Sequence, residues 1–211
     1  MTVPDIRACA LAAASALESA RDELCRLDAA AGDGDHGVTM ALAARAVRKS
    51  LQDAPEASGA DLVTRIALGA GSVGGASGPL YASALLGAAA TLRKAAGEHV
   101  TVALIARCAE AAEVAVVNLG HAKPGDKTIL DALGPAVRSL RETSNSDVAE
   151  ALADAADAAR EGAESTVHMT AAVGRARALG ERSRGFADPG ATSLALILDA
   201  VASAFRAHRR R

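Results

Sequence analysis

The chain has 211 residues, half of them apolar and 23% charged, which is enough to bury a core and excludes a disordered polypeptide. Its formal net charge of -2 gives no electrostatic reason to expect a nucleic-acid partner or an anionic membrane surface. Only 1% of residues are aromatic and Trp is absent, so the core must come from Ala, Leu, Val and Ile, a composition that favours closely approaching helices.

From Ile6 the apolar positions Ala10, Ala13, Leu17, Ala20, Leu24 and Leu27 recur in steps of three and four, the signature of one long helix, with Pro4 acceptable in its first turn. The pattern lapses over Ala29 to Gly37 and resumes through Met40, Val47 and Leu51. Further helices are expected near Ala60 to Gly71, Pro79 to Ala96, Thr101 to Leu119, Lys127 to Thr143, Asp147 to Val167 and Pro189 to Ala207. Asp147 with Glu150 resembles a capping box, Asp188-Pro189 suits an N-cap and first position, and Pro135 is expected to kink or interrupt the sixth helix. The expectation is a single all-α domain over 1–211 with eight helices and no strand. The irregular connections alternate with plain ones, near 54–59, 96–100 and 144–146, so an up-and-down bundle gathers the irregular ones at one end and leaves the other inert.

Cys9, Cys25 and Cys108 fit no metal or redox pattern and point to a reducing cytoplasm, where they fill the core. No uninterrupted apolar stretch reaches the roughly 18 residues of a membrane span, and no membrane partner is expected. The basic run Arg206 to Arg211 is read as a solvated helix end.

Chemistry concentrates in the loops. Asp28 with Gly32-Asp33-Gly34-Asp35-His36-Gly37 offers three hard carboxylates suited to Mg²⁺ or Ca²⁺, or alternatively a turn and a helix cap. An EF-hand is excluded because the twelfth position from Asp33 is Ala44. Gly32 to Gly37 and Gly69 to Gly74 match a dinucleotide fingerprint but follow no strand, and Asp126 breaks the P-loop pattern of Gly120 to Thr128. Gly74-Gly75-Ala76-Ser77-Gly78-Pro79 opens a helix where N–H groups can receive an anion, unless its small residues serve only helix packing. Gly174 to Gly185 carries Arg175, Arg177, Arg182 and Arg184, suited either to phosphate or to solvent. Phosphates and three aspartates repel by roughly 4 kcal/mol per pair at about 4 Å, a sign that a bridging divalent cation reverses. The pattern therefore points to a metal-bridged phosphate site.

Together these loops resemble the L subunit of bacterial dihydroxyacetone kinases, also found as the C-terminal domain of single-chain forms. The residues that carry the likeness are Leu27-Asp28, Gly32 to Gly37, Ser72 to Leu80, Lys123 to Thr128, Gly174 to Ala176, Leu179 to Ser183 and Asp188 to Ser193. The resemblance implies an eight-helix antiparallel barrel with ADP or ATP and two Mg²⁺ ions at one end. It implies Asp28, Asp33 and Asp35 as metal ligands. It places His36, Gly37, Val38, Thr39, Ala76, Ser77, Gly120, Ile129, Arg175, Asp188, Pro189 and Gly190 along the nucleotide. The implied reaction is phosphoryl transfer to dihydroxyacetone or another short ketose, held covalently on a separate K subunit, with no protein nucleophile and no activity for this chain alone.

The donor is either ATP or a phosphotransferase-system carrier, the M subunit, acting through bound ADP. Thr39, where carrier-fed forms often have Asn, favours ATP. Arg184-Gly185-Phe186-Ala187 departs from relatives that often carry a His after the glycine. Oligomeric state is open, a homodimer included, and Arg177, Arg182 and Arg184 have no assigned roles. Three rivals stand beside this reading: the helical domain of fatty-acid kinases, which usually has Thr at the position of His36; a non-enzymatic nucleotide-binding adapter; and a purely structural bundle.

Overall fold

The computed structural model describes residues 3–52 and 58–209. Most of the connection expected at 54–59, and the last two arginines of the tail, lie outside them. Among the described residues all regular structure is helical: α1 (Val3–Ser19), α2 (Arg21–Ala29), α3 (His36–Gln52), α4 (Gly59–Gly71), α5 (Ser77–Lys94), α6 (Val102–Gly120), α7 (Leu130–Glu142), α8 (Val148–Ser165) and α9 (Pro189–Arg209). Two 3₁₀ stretches, Thr166–His168 and Arg175–Ser183, lie between α8 and α9.

The expected long first helix is therefore two. Ala20 leaves helical geometry at φ -88° and ψ 5°, although its carbonyl still accepts from Leu24 N at 2.9 Å. No Gly or Pro marks the break, and the apolar spacing runs straight across it. Packing then closes a ring: α1 lies on α3, each helix from α3 to α9 packs on the next, and α9 returns to α1. Eight helices make this barrel, with α2 seated on α3 and α9.

Small residues set the spacing. A Cβ on Gly87 of α5 would lie 2.7 Å from Ala111 O of α6, so these helices approach as only a glycine permits. The main core cluster is built on Leu130, Ala132, Ala136, Ala155, Ala159 and Ala191, each nearly sealed from solvent. Phe205 is fully buried with Leu152 and Cys9. Burial pushes the Cys9 and Cys108 thiols up to about 11, so both are poor nucleophiles, and all three cysteines are unpaired.

Pro135 does not interrupt α7, which continues to Glu142. Lacking an N–H, it leaves the Asp131 carbonyl without its helical donor, and that carbonyl sits directly against Gly162 of α8. The start of α7 shifts from the expected Lys127 to Leu130, because Lys127 adopts left-handed backbone (φ 62°). At α8, Asp147 caps Ala149 and Glu150 N–H as expected, while the Glu150 carboxylate accepts instead from Asn145 at 2.5 Å. Helix α9 is, among the described residues, the one helix long and apolar enough to cross a membrane by length and composition. Here it packs against α1, α7 and α8 and buries Ser193, Leu194, Ala195 and Phe205.

Candidate functional site

Four helices, α3, α5, α7 and α9, start at the same end of the barrel, and side-chain contacts between their first turns establish it. His36 of α3 has Nε2 3.0 Å from Ser193 Oγ of α9 and Nδ1 3.3 Å from Ser77 Oγ of α5. Tyr81 OH of α5 lies 2.9 Å from the same Ser193 Oγ. A Cβ on Gly190 of α9 would lie 3.9 Å from Ile129 Cβ at the start of α7. Four N-termini thus converge, each with first-turn N–H groups unused by its helix and a partial positive charge. The other end carries an open depression of about 570 Å³ lined by residues including Thr101, Arg107, Arg141 and Asn145.

The carboxylates enter this positive field from the α2–α3 loop. Asp28, buried at the end of α2, accepts through Oδ2 from Asp35 N (2.9 Å) and His36 N (3.1 Å). It folds the loop back on itself, and Gly32 is required because any Cβ there would strike Asp28 Oδ1. One oxygen each of Asp28, Asp33 and Asp35 fall within 4.8 Å of one another. Arg175 reaches them from the 3₁₀ stretch before α9, pairing with Asp33 and lying 3.5 Å from Asp35. Three hard oxygen donors at this spacing suit a divalent cation, and the surrounding N–H groups suit its phosphate.

The remaining expected residues distribute around this cluster. Ala76 precedes α5 and is exposed, while Gly78 must be glycine because a Cβ would lie 2.5 Å from Val73 O. Gly37 and Val38 supply first-turn N–H groups of α3, whereas Thr39 N already donates to Asp35 O at 2.9 Å. Asp188 caps α9, accepting from Ala191 N at 2.8 Å. Gly120 ends α6, beside a cavity of about 540 Å³ lined in part by Val117, Asn118, His121 and Val173. Ile129 is buried in the core, its backbone nitrogen on the Gly190 side. Of the arginines, Arg184 is spent on His168 O (2.9 Å) and Glu181 (3.1 Å), and Arg177 and Arg182 are exposed.

Burial pulls the His36 ring below its ordinary pKa, against the opposing effects of the Asp28 carboxylate and the Pro189 backbone. It is a neutral cross-link near pH 7, donating or accepting between two serines. Burial pushes Asp188 up to about 6, although Ala191 N–H and Lys127 oppose the rise. Its native carboxyl therefore binds a proton more tightly than the unfolded one. Stability from this group is complete below about pH 4 and is lost as pH rises through 6, a difference on the order of 3 kcal/mol. In the ligand-free protein, stability relative to Asp188→Asn, which keeps the cap acceptor, is expected to fall between pH 4 and 6 and flatten above. Thermal unfolding across that range checks it.

Two residues of consequence escape a reading of the loops by themselves. Asp131, in the first turn of α7, accepts from Gly125 N (2.5 Å) and Thr128 N (2.7 Å), and so shapes the whole 123–128 loop. Lys127 is buried, its ammonium surrounded by four carbonyls. A lysine beside a broken P-loop pattern invites a phosphate-binding reading; only its left-handed backbone and inward side chain reveal the other use.

An all-α barrel whose helix N-termini surround a carboxylate cluster defines a class of anion- and cation-binding helical domain. The DAK2 domain model matches residues 30–203, and the chain belongs to that family. It is 38% identical over 188 residues to the ADP-binding subunit DhaL of the PEP-dependent dihydroxyacetone kinase of Escherichia coli, covering 86% of this chain and 87% of that subunit. It is 40% identical over 182 residues to an L-erythrulose 1-kinase of Mycolicibacterium smegmatis, covering 85% of this chain. The chain spans only 32–35% of the length of that protein and of two other erythrulose kinases it matches. The dihydroxyacetone kinase of C. freundii superposes with a TM-score of 0.74 at 30% identity, over 96% of this chain and 34% of that one. Its complex with AMP-PNP and Mg²⁺ gives a TM-score of 0.72 at 29% identity.

Proposed function

We propose that this chain is the nucleotide- and Mg²⁺-binding subunit of a short-ketose kinase, passing a phosphoryl group to dihydroxyacetone or erythrulose held by a separate K-type chain. One observation carries the reading: Asp28, Asp33 and Asp35 meet within 4.8 Å at the end of the barrel where four helix N-termini converge. The likeness to the ADP-binding DhaL subunit of a dihydroxyacetone kinase supports the nucleotide-binding role.

Asp28, Asp33 and Asp35 would hold Mg²⁺, which, when bound, neutralises phosphate charge and polarises the transferred group. The chain's own work is positional. Asp28 fixes the loop through two N–H bonds and keeps one carboxylate oxygen within 4.8 Å of one from each of Asp33 and Asp35. The N–H groups at the starts of α3 and α5 receive phosphate oxygens, and Ser77 stands ready as a further donor. Arg175 links Asp33 and Asp35 and would contact phosphate beside them. Ile129, Gly120 and Asp188 to Gly190 would line the nucleoside. No side chain here acts as a nucleophile, consistent with a reaction that needs alignment and charge neutralisation.

Turnover tests the proposal. Mixed with a K-type subunit, ATP and Mg²⁺, the chain is expected to convert dihydroxyacetone or erythrulose to its phosphate, and neither chain to do so alone. Turnover only with a phosphocarrier in place of ATP assigns the carrier-fed form. Nucleotide binding without turnover under either donor contradicts the kinase role and leaves a regulatory adapter.

A further inference from the structure

We infer that Lys127 is a positioning residue that pins the neck of the loop carrying Arg175 and so sets that arginine against the aspartate cluster. The inference rests on the functional reading above.

The Lys127 ammonium donates to Ser183 O (2.7 Å), Phe186 O (2.7 Å), Thr166 O (2.8 Å) and, more weakly, Met169 O (3.3 Å). It has three N–H bonds for these four acceptors, so all of its donors are engaged and the longest contact is shared. The acceptors come in two pairs. Thr166 and Met169 precede the arginine-bearing 3₁₀ stretch, Ser183 ends it and Phe186 follows it. One ammonium thus draws together both ends of a segment of about twenty residues, and Arg175 lies on the span between them. Three further bonds close the same neck: Gly185 N to Val167 O (2.8 Å), Ala171 N to Ser183 Oγ (2.9 Å) and Ala172 N to Asp126 O (3.1 Å).

The neck is also tied to the site from the other side. Asp188 N, at the start of α9, donates to Thr166 Oγ1 at 2.8 Å; burial pulls the Lys127 ammonium below its ordinary pKa, and the nearby Asp188 carboxylate opposes that fall. Asp131 holds the backbone on either side of Lys127 through Gly125 N and Thr128 N. That backbone is left-handed (φ 62°), a conformation a glycine would take without strain. A lysine persists there because its side chain is needed inside. The buried ammonium therefore links the approach to α7, the end of α8 and the start of α9 to Arg175, which reaches Asp33 and Asp35.

The test uses the full chain and the variants Lys127→Met, Arg175→Ala and the double substitution. Hydrogen exchange needs no ligand: in Lys127→Met, amides of 169–186 are expected to exchange roughly tenfold faster or more, with those of α4 to α6 unchanged. ADP affinity in Mg²⁺ is expected to fall roughly tenfold, and by less than about twofold when Arg175 is already alanine. Unchanged exchange in 169–186, uniformly faster exchange everywhere, or an undiminished effect in the Arg175→Ala background overturns the inference. Should Lys127→Met not fold, Lys127→Gln, whose amide still reaches one or two carbonyls, carries the same comparisons. If the wild-type chain binds no nucleotide, the functional reading fails, while the exchange experiment still decides whether Lys127 pins the loop.

Discussion

Asp28→Ala and Asp33→Ala are each expected to abolish Mg²⁺-dependent nucleotide binding, yet only Asp28→Ala is expected to destabilise the fold. Asp28 is buried and accepts two backbone N–H bonds that shape the entry to α3. Removing it leaves both donors without an acceptor and should lower stability by about 2 kcal/mol. Asp33 is about half exposed, and its ion pair with Arg175 is worth about 1 kcal/mol or less. Its removal also relieves repulsion from Asp28 and Asp35, a term of similar size at a solvated site. Asp33→Ala should therefore unfold at nearly the wild-type denaturant midpoint while losing binding. Chemical denaturation beside calorimetric titration checks both variants. A structural bundle predicts the reverse, with binding unaffected by either.

Gly37→Ala is expected to destabilise the chain by about 3 kcal/mol and to weaken nucleotide binding together with the fold. Its Cα lies so close to α2 that an added Cβ would collide with Arg21 O and sit 2.9 Å from Cys25 N. Both neighbours are backbone, so no side-chain rotation relieves the contact. Helix α3 would have to withdraw from α2, carrying the His36 N–H away from Asp28 and the His36 ring away from Ser193 and Ser77. The modest gain from replacing glycine by alanine in a helix, about 1 kcal/mol, is too small to offset this. A melting temperature unchanged by Gly37→Ala would refute the close packing of α2 on α3.

Most helices are legible because α3 to α9 carry uninterrupted spacing bounded by Gly, Pro or a capping residue, as at Ser58, Thr101 and Asp188. The break at Ala20 is not, since an alanine between two compatible apolar faces has no local signature. Pro135 was legible as a residue but not in effect: the Asp131 carbonyl it frees is accommodated by Gly162, thirty-one positions further along the chain. The three aspartates stood out from Gly and Asp content, which left a turn and helix cap open as well; the fold brings one oxygen of each within 4.8 Å of the others. By residue chemistry Arg175 is one of four arginines in its loop; the family resemblance singled it out, and the fold sets it against Asp33 and Asp35. Lys127 and Asp131 show the limit most clearly, because their partners are main-chain atoms that no pattern of side chains announces.

The most direct test of the central claim is calorimetric titration of ADP into the desalted wild-type chain, once with Mg²⁺ and once with EDTA. Saturable binding with Mg²⁺ that disappears with EDTA is the result expected of three aspartates holding a phosphate-bridging cation. Absence of binding even with nucleotide and Mg²⁺ in excess, or binding indifferent to EDTA, would contradict it.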